Sequence, residues 1–109
     1  MSTNLSKTDD GKQLTLNVGQ DLTIRLPENP TTGYRWAVDE PTQRDPSTEI
    51  LVFTDRSYSA EKAVGIGGGG MCTLTFNAQK AGVAELRLKL WQPSENDVDD
   101  RFHLTIHVQ

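Results

Sequence analysis

Cys72 is the chain's single cysteine, and nucleophilic attack would be its natural chemistry. A catalytic thiol must be exposed and lie beside a base. Cys72 instead shares parity with Leu74 and Phe76 on an alternating run, which turns it inward as a structural thiol. One cysteine also excludes an internal disulfide, so packing alone must hold the chain together. His103 and His107 are the two histidines. On a strand their spacing is roughly 13 Å, too far for one metal ion, and both are expected to face solvent. The acidic stretch from Glu95 to Asp100 has calcium-loop composition but lacks the glycine and terminal glutamate of an EF-hand. The run Gly65-Ile66-Gly67-Gly68-Gly69-Gly70 spells G-x-G-x-x-G. A dinucleotide site needs a helix after that motif, and here a strand pattern follows. No catalytic group, metal or cofactor is therefore expected.

Binding chemistry is better represented. Glu28-Asn29-Pro30-Thr31-Thr32-Gly33-Tyr34-Arg35-Trp36 lies between two strand patterns. Pro30 fixes its own φ and drives Asn29 out of the helical region, and Gly33 admits a positive φ where the chain turns back. Thr31 and Thr32 offer hydroxyls and methyls to whatever lies opposite. A stiff, exposed loop of this kind suits recognition, although Asn-Pro and Thr-Gly also punctuate plain turns. The glycine run is either a passive linker or a surface whose bare backbone can lie flat against a partner. Trp91 breaks the Leu86, Leu88, Leu90 alternation at the end of a run, so it is a packing lid or a binding anchor.

The elements that must position these groups are strands. Apolar residues alternate with polar ones over residues 14–18, 22–26, 72–76, 83–90 and 102–108, with shorter runs at 34–38 and 50–53. One apolar face per run predicts half-buried antiparallel strands. Residues 40–47 read as a loop. The chain of 109 residues forms one domain, with residues 1–12 a polar and mobile lead-in. Seven to eight strands with Gly- and Pro-rich turns predict an all-β, immunoglobulin-like antiparallel β-sandwich. In that topology the connections 27–33, 54–71 and 91–101 emerge at one end. They are also the most distinctive connections. We call them the first, second and third loops.

Hydrophobic residues make up 35% and charged residues 24% of the chain, and the net charge is -4. That balance argues against a broad nucleic-acid footprint, and no apolar run has the length of a membrane helix. A monomer with neither nucleic-acid nor membrane partners is expected. The compartment is left open. It is cytoplasmic if Met1 is native, and secreted or periplasmic if a signal peptide was removed. Asn4-Leu5-Ser6 is a glycosylation sequon relevant only in the second case.

Taken together, the motifs resemble the chagasin-type inhibitors of papain-like cysteine peptidases. That family carries N-P-T-T-G-[YF] in its first loop, G-x-G-G in its second and R-P-[WF] entering its third. Asn29-Pro30-Thr31-Thr32-Gly33-Tyr34 matches the first motif, and Gly65-Ile66-Gly67-Gly68 the second. Lys89-Leu90-Trp91 keeps only the aromatic residue of the third. The resemblance spans nearly the whole chain and implies a reversible, tight-binding inhibitor, not an enzyme. It implies that Thr31 and Thr32 sit near the target's catalytic cysteine, with Gly33 allowing close approach. Gly65 to Gly68 would lie along the substrate-binding side, and Trp91 would stack on the primed side. Without the family arginine and proline, the third loop is expected to be less rigid. The alternative is an immunoglobulin-like adhesion or carbohydrate-binding module that uses the same loop end.

Overall fold

Inward alternation builds two facing sheets in the computed structural model, which describes residues 2–29, 32–38, 47–60 and 70–109. The strands are β1 (Ser2–Ser6), β2 (Gln13–Leu16), β3 (Asp21–Glu28), β4 (Arg35–Val38), β5 (Leu51–Ala60), β6 (Gly70–Ala78), β7 (Gly82–Gln92) and β8 (Asp97–Val108). A one-turn helix, α1, spans Ser47–Ile50. One sheet has the order β1-β3-β6-β5 and the other β2-β8-β7-β4. The described residues thus form the expected all-β, immunoglobulin-like sandwich.

The core is the sum of the inward parities. Leu22, Ile24 and Leu26 from β3 lie beside Leu74 and Phe76 from β6 on the inner face of the first sheet. Leu88, Phe102, Leu104 and Ile106 supply the second sheet. Trp36, 1% exposed, is among the largest fully buried side chains. Each fully buried Leu, Ile or Phe stabilises the fold by roughly 1.5–3 kcal/mol. Exposed ion pairs such as Lys12–Asp9 are screened by solvent and add little, so the core holds the sandwich.

The structure departs from the sequence expectations at the strand ends. The polar lead-in forms β1, which runs parallel to β3 from Ser2↔Asp21 to Ser6↔Arg25. A 3-10 turn (Lys7–Asp9) then carries the chain across to the other sheet, where β2 runs parallel to β8. Both sheets are therefore mixed at one edge. Val18 drops out of its run and is 52% exposed, because it enters the turn at Gly19, which has φ +93°.

Two strands run longer than their apolar patterns. β5 continues past Phe53 to Ala60 after a bulge at Thr54. Its residues from Phe53 to Ser59 are exposed, so this edge strand shows no apolar face to read. β8 begins at Asp97 rather than Phe102, and pairing with β7 reaches Gln92↔Asp97. The third connection shrinks from residues 91–101 to the turn at 93–96.

Candidate functional site

Strand register gathers the three connections at one end. Glu28 pairs with Gly70, and Gly70 with Ala60, which aligns the feet of the first and second loops. Arg35 pairs with Trp91, which sets the far foot of the first loop beside the third. Gly70 has no room for a side chain. A Cβ there would lie 2.3 Å from the Ser59 carbonyl oxygen and against the Tyr58 ring.

The first loop is tied to itself. The Thr32 amide donates to the Asn29 carbonyl oxygen at 3.2 Å, and the Thr32 hydroxyl donates to the same oxygen at 2.7 Å. That hydroxyl also accepts from the Tyr34 amide at 3.3 Å. Thr32 therefore spends its hydroxyl inside the loop, contrary to the expectation that it faces outward for a partner. Gly33 adopts the left-handed conformation that its position required, with φ +82°. Pro30 and Thr31 lie outside the described residues.

The first loop is also tied to the third. Gln92 Nε2 donates to the Thr32 carbonyl oxygen at 3.0 Å. The Tyr34 hydroxyl donates to the Asp97 carboxylate. That bond pushes the Tyr34 phenol up to about 12, helped by desolvation and by the charges of Asp97, Asp99 and Glu95. At the base of the loop, Trp36 is held twice. Its indole N–H donates to the Pro27 carbonyl oxygen at 2.8 Å, and its amide donates to Glu28 Oε1 at 2.6 Å.

The third loop carries Lys89, Leu90 and Trp91. A bulge between Leu90 and Trp91 resets the pairing from Leu90↔Asp100 to Trp91↔Val98. Leu90 packs, half-buried, against the core. Trp91 is half-buried, its indole N–H donates to Asn96 Oδ1 at 3.3 Å, and the Lys89 ammonium sits 4.7 Å from its ring centroid. Pairing to Gln92↔Asp97 gives this loop a short, hydrogen-bonded base. Gly65, Ile66, Gly67 and Gly68 of the second loop lie outside the described residues.

The groups read as structural behave so. Cys72 is 0% exposed, and burial pushes its thiol up, away from nucleophilic use. His103 does not simply face solvent. Its Nε2 meets Glu85 Oε2 at 2.5 Å, and this bond lowers the Glu85 carboxyl.

Four residues that tie the loops together escaped the sequence reading. Gln92 and Asp97 gave no signal, since an exposed amide or carboxylate near a turn is ordinary. Glu28 did give one, because it continues the inward parity of Leu22, Ile24 and Leu26 with a carboxylate. Arg56, its ion-pair partner at 3.0 Å, lies on the unreadable half of β5.

The Chagasin family peptidase inhibitor I42 model matches residues 15–106. Amoebiasin-1 of Entamoeba histolytica is 32% identical over 111 residues, covering 96% of this chain and 100% of the relative. Chagasin of Trypanosoma cruzi is 26% identical over 109 residues, covering 100% and 98%. Among solved structures, a cysteine protease inhibitor of Entamoeba histolytica shares the fold with a TM-score of 0.84 at 19% identity, covering 99% of this chain and 96% of that one. The chain belongs to the chagasin family of peptidase inhibitors.

Proposed function

We propose that the three-loop end fills the active-site cleft of papain-like cysteine peptidases and blocks it reversibly, without covalent chemistry. The observation that carries this is the bonding of Thr32, which is tied to Asn29, Tyr34 and Gln92. A loop already fixed in shape loses little conformational entropy on binding, so more of its contact energy becomes affinity. The same stiffness protects it. Cleavage needs a peptide carbonyl brought in line with the attacking thiolate, and a tied turn resists that geometry.

The division of labour follows the family pattern. Thr31 and Thr32 meet the peptidase nucleophile, and Gly33 lets the backbone come close. Gly65, Ile66, Gly67 and Gly68 run along the substrate side, while Lys89, Leu90 and Trp91 form the primed-side wall. Leu90 acts there from below, through its packing on the core. Cys72 takes no part, since a thiol with no exposed surface cannot form a mixed disulfide with the target.

Titration of papain with the protein tests the proposal. Activity should fall to zero near stoichiometric inhibitor, and intact inhibitor should be recovered from the complex. A cleaved first loop, a covalent adduct, or full papain activity at inhibitor concentrations on the order of 10 μM would overturn it.

A further inference from the structure

Glu28 is a carboxylate in a place where the alternation calls for a hydrocarbon. Its side chain is 5% exposed. It sits at the last residue of β3, where the first loop leaves the sheet. Its Oε1 accepts from the Trp36 amide at 2.6 Å and from Arg56 Nη2 at 3.0 Å. Trp36 belongs to β4, an edge strand of the opposite sheet, and Arg56 belongs to β5, which leads into the second loop. One oxygen thus joins the bases of two loops and both sheets.

We propose that Glu28 is a positioning residue that sets the first loop relative to the second, so that both meet the peptidase cleft in one fixed geometry. The proposal rests on the inhibitory function proposed above. An ion pair with one buried member gives little net stability against an apolar replacement, because desolvating the buried charge offsets the attraction. What such a pair does supply is a specific geometry. The Trp36 amide points at Glu28 from the outer edge of β4, where no further strand among the described residues pairs with it. With the indole held by the Pro27 carbonyl, both ends of the loop between residues 28 and 36 are clamped. Arg56 then ties that clamp to β5. Arg56 is one-third exposed, so it can swing to water when its anion is lost.

The test is a double-mutant cycle with papain, using E28Q, R56M and E28Q/R56M. Dissociation rate and thermal midpoint are measured for each. Amide exchange of Trp36 and the first loop is followed in the free protein. E28Q keeps an oxygen for the Trp36 amide but loses the charge that holds Arg56. Each single variant should raise the dissociation rate by about tenfold, the loss expected for one charge-assisted bond. The double variant should also be about tenfold faster, since both changes break the same link. R56M leaves a buried carboxylate without its cation, so its midpoint should drop. Adding E28Q removes that charge, so the midpoint should recover while the dissociation rate stays high. A dissociation rate that recovers with the midpoint would make the pair merely structural and overturn the proposal. Unchanged loop exchange in E28Q would overturn it too. Faster exchange in E28Q, with a wild-type protein that leaves papain active, would instead support the clamp and refute the inhibitory function.

Discussion

Gln92 and Thr32 join the third loop to the first. The Gln92 amide nitrogen lies 3.0 Å from the Thr32 carbonyl oxygen, across the end of the sandwich. Gln92 closes β7, where it pairs with Asp97, and Asp97 in turn accepts from Tyr34. Two side-chain bonds therefore run between the same pair of loops. Among the described residues, the first and third loops are thus cross-linked in the free protein, which lowers the ordering cost of any binding at this end.

Gln92→Ala should loosen that cross-link without unfolding the protein. One neutral hydrogen bond contributes about 0.5–1.5 kcal/mol, so the inhibition constant against papain should rise roughly two- to tenfold. The thermal stability should fall by no more than about 1.5 kcal/mol, with a cooperative transition retained. An unchanged inhibition constant would show that the Thr32 carbonyl needs no support.

Gly33→Ala attacks the same joint through the backbone. Its φ of +82° costs a residue with a Cβ about 1–2 kcal/mol. The added Cβ would also lie 3.1 Å from Gln92 Nε2, the far end of a flexible side chain that can move aside. Strain, not collision, is the larger effect. Inhibition should weaken by about tenfold or more with a cooperative thermal transition retained. The double variant Gly33→Ala/Gln92→Ala should be no better than Gly33→Ala alone. Rescue by the second substitution would reverse that ranking and make the contact with Gln92 decisive.

Tyr34 offers a spectroscopic view of the loop pair. Its phenol is pushed up to about 12, first by the bond to Asp97. A group raised in the folded state stabilises that state fully below its unfolded value, near 10. The Tyr34–Asp97 contribution is therefore constant through neutral pH. It is lost as pH rises from about 10 through about 12. Phenolate absorbance should show a late titration that belongs to Tyr34. Asp97→Asn should bring that titration down, though not to 10 while Asp99 and Glu95 keep their charges. A late titration that persists in Tyr34→Phe would assign it elsewhere.

The parts legible in the sequence were those where one face is buried. Leu22, Ile24 and Leu26, or Phe102, Leu104 and Ile106, show parity because a slip of one residue would turn them to water. Cys72 and Gly33 were readable for related reasons, one through parity and the other through the turn. Strand segments with no buried face left no such trace. Thr54 to Ser59 of β5 and Asp97 to Arg101 of β8 are held by backbone pairing, to which side-chain type is nearly indifferent. The bonds of Gln92 and Asp97 were hidden because each links residues about sixty positions apart. Glu28 was legible in principle, as a charge at an inward position implies a buried partner.

Lys89 and Leu90 are where this chain departs from the family motif while Trp91 keeps its aromatic, and the geometry of the three ranks their contributions. Leu90 stands where the family has proline, and it packs on the core while pairing with Trp36. The third loop therefore takes its order from the β7–β8 hairpin and from the Trp91 bond to Asn96. In the proposed interface Trp91 would be the large amphipathic anchor, and losing such a residue costs about 2 kcal/mol or more. Lys89 contributes through its ammonium over the indole, about 0.5–1 kcal/mol at an exposed site. Trp91→Ala should therefore raise the inhibition constant against papain about thirtyfold or more, and Lys89→Ala less than about fivefold. Lys89→Arg should be neutral or improve binding, because a planar guanidinium stacks on the ring and can still fork to an acceptor on the peptidase rim. Inhibition constants for the three variants against one enzyme decide the ranking. If Trp91→Ala leaves the constant unchanged, the third loop stands outside the interface and serves only to brace Thr32 and Tyr34.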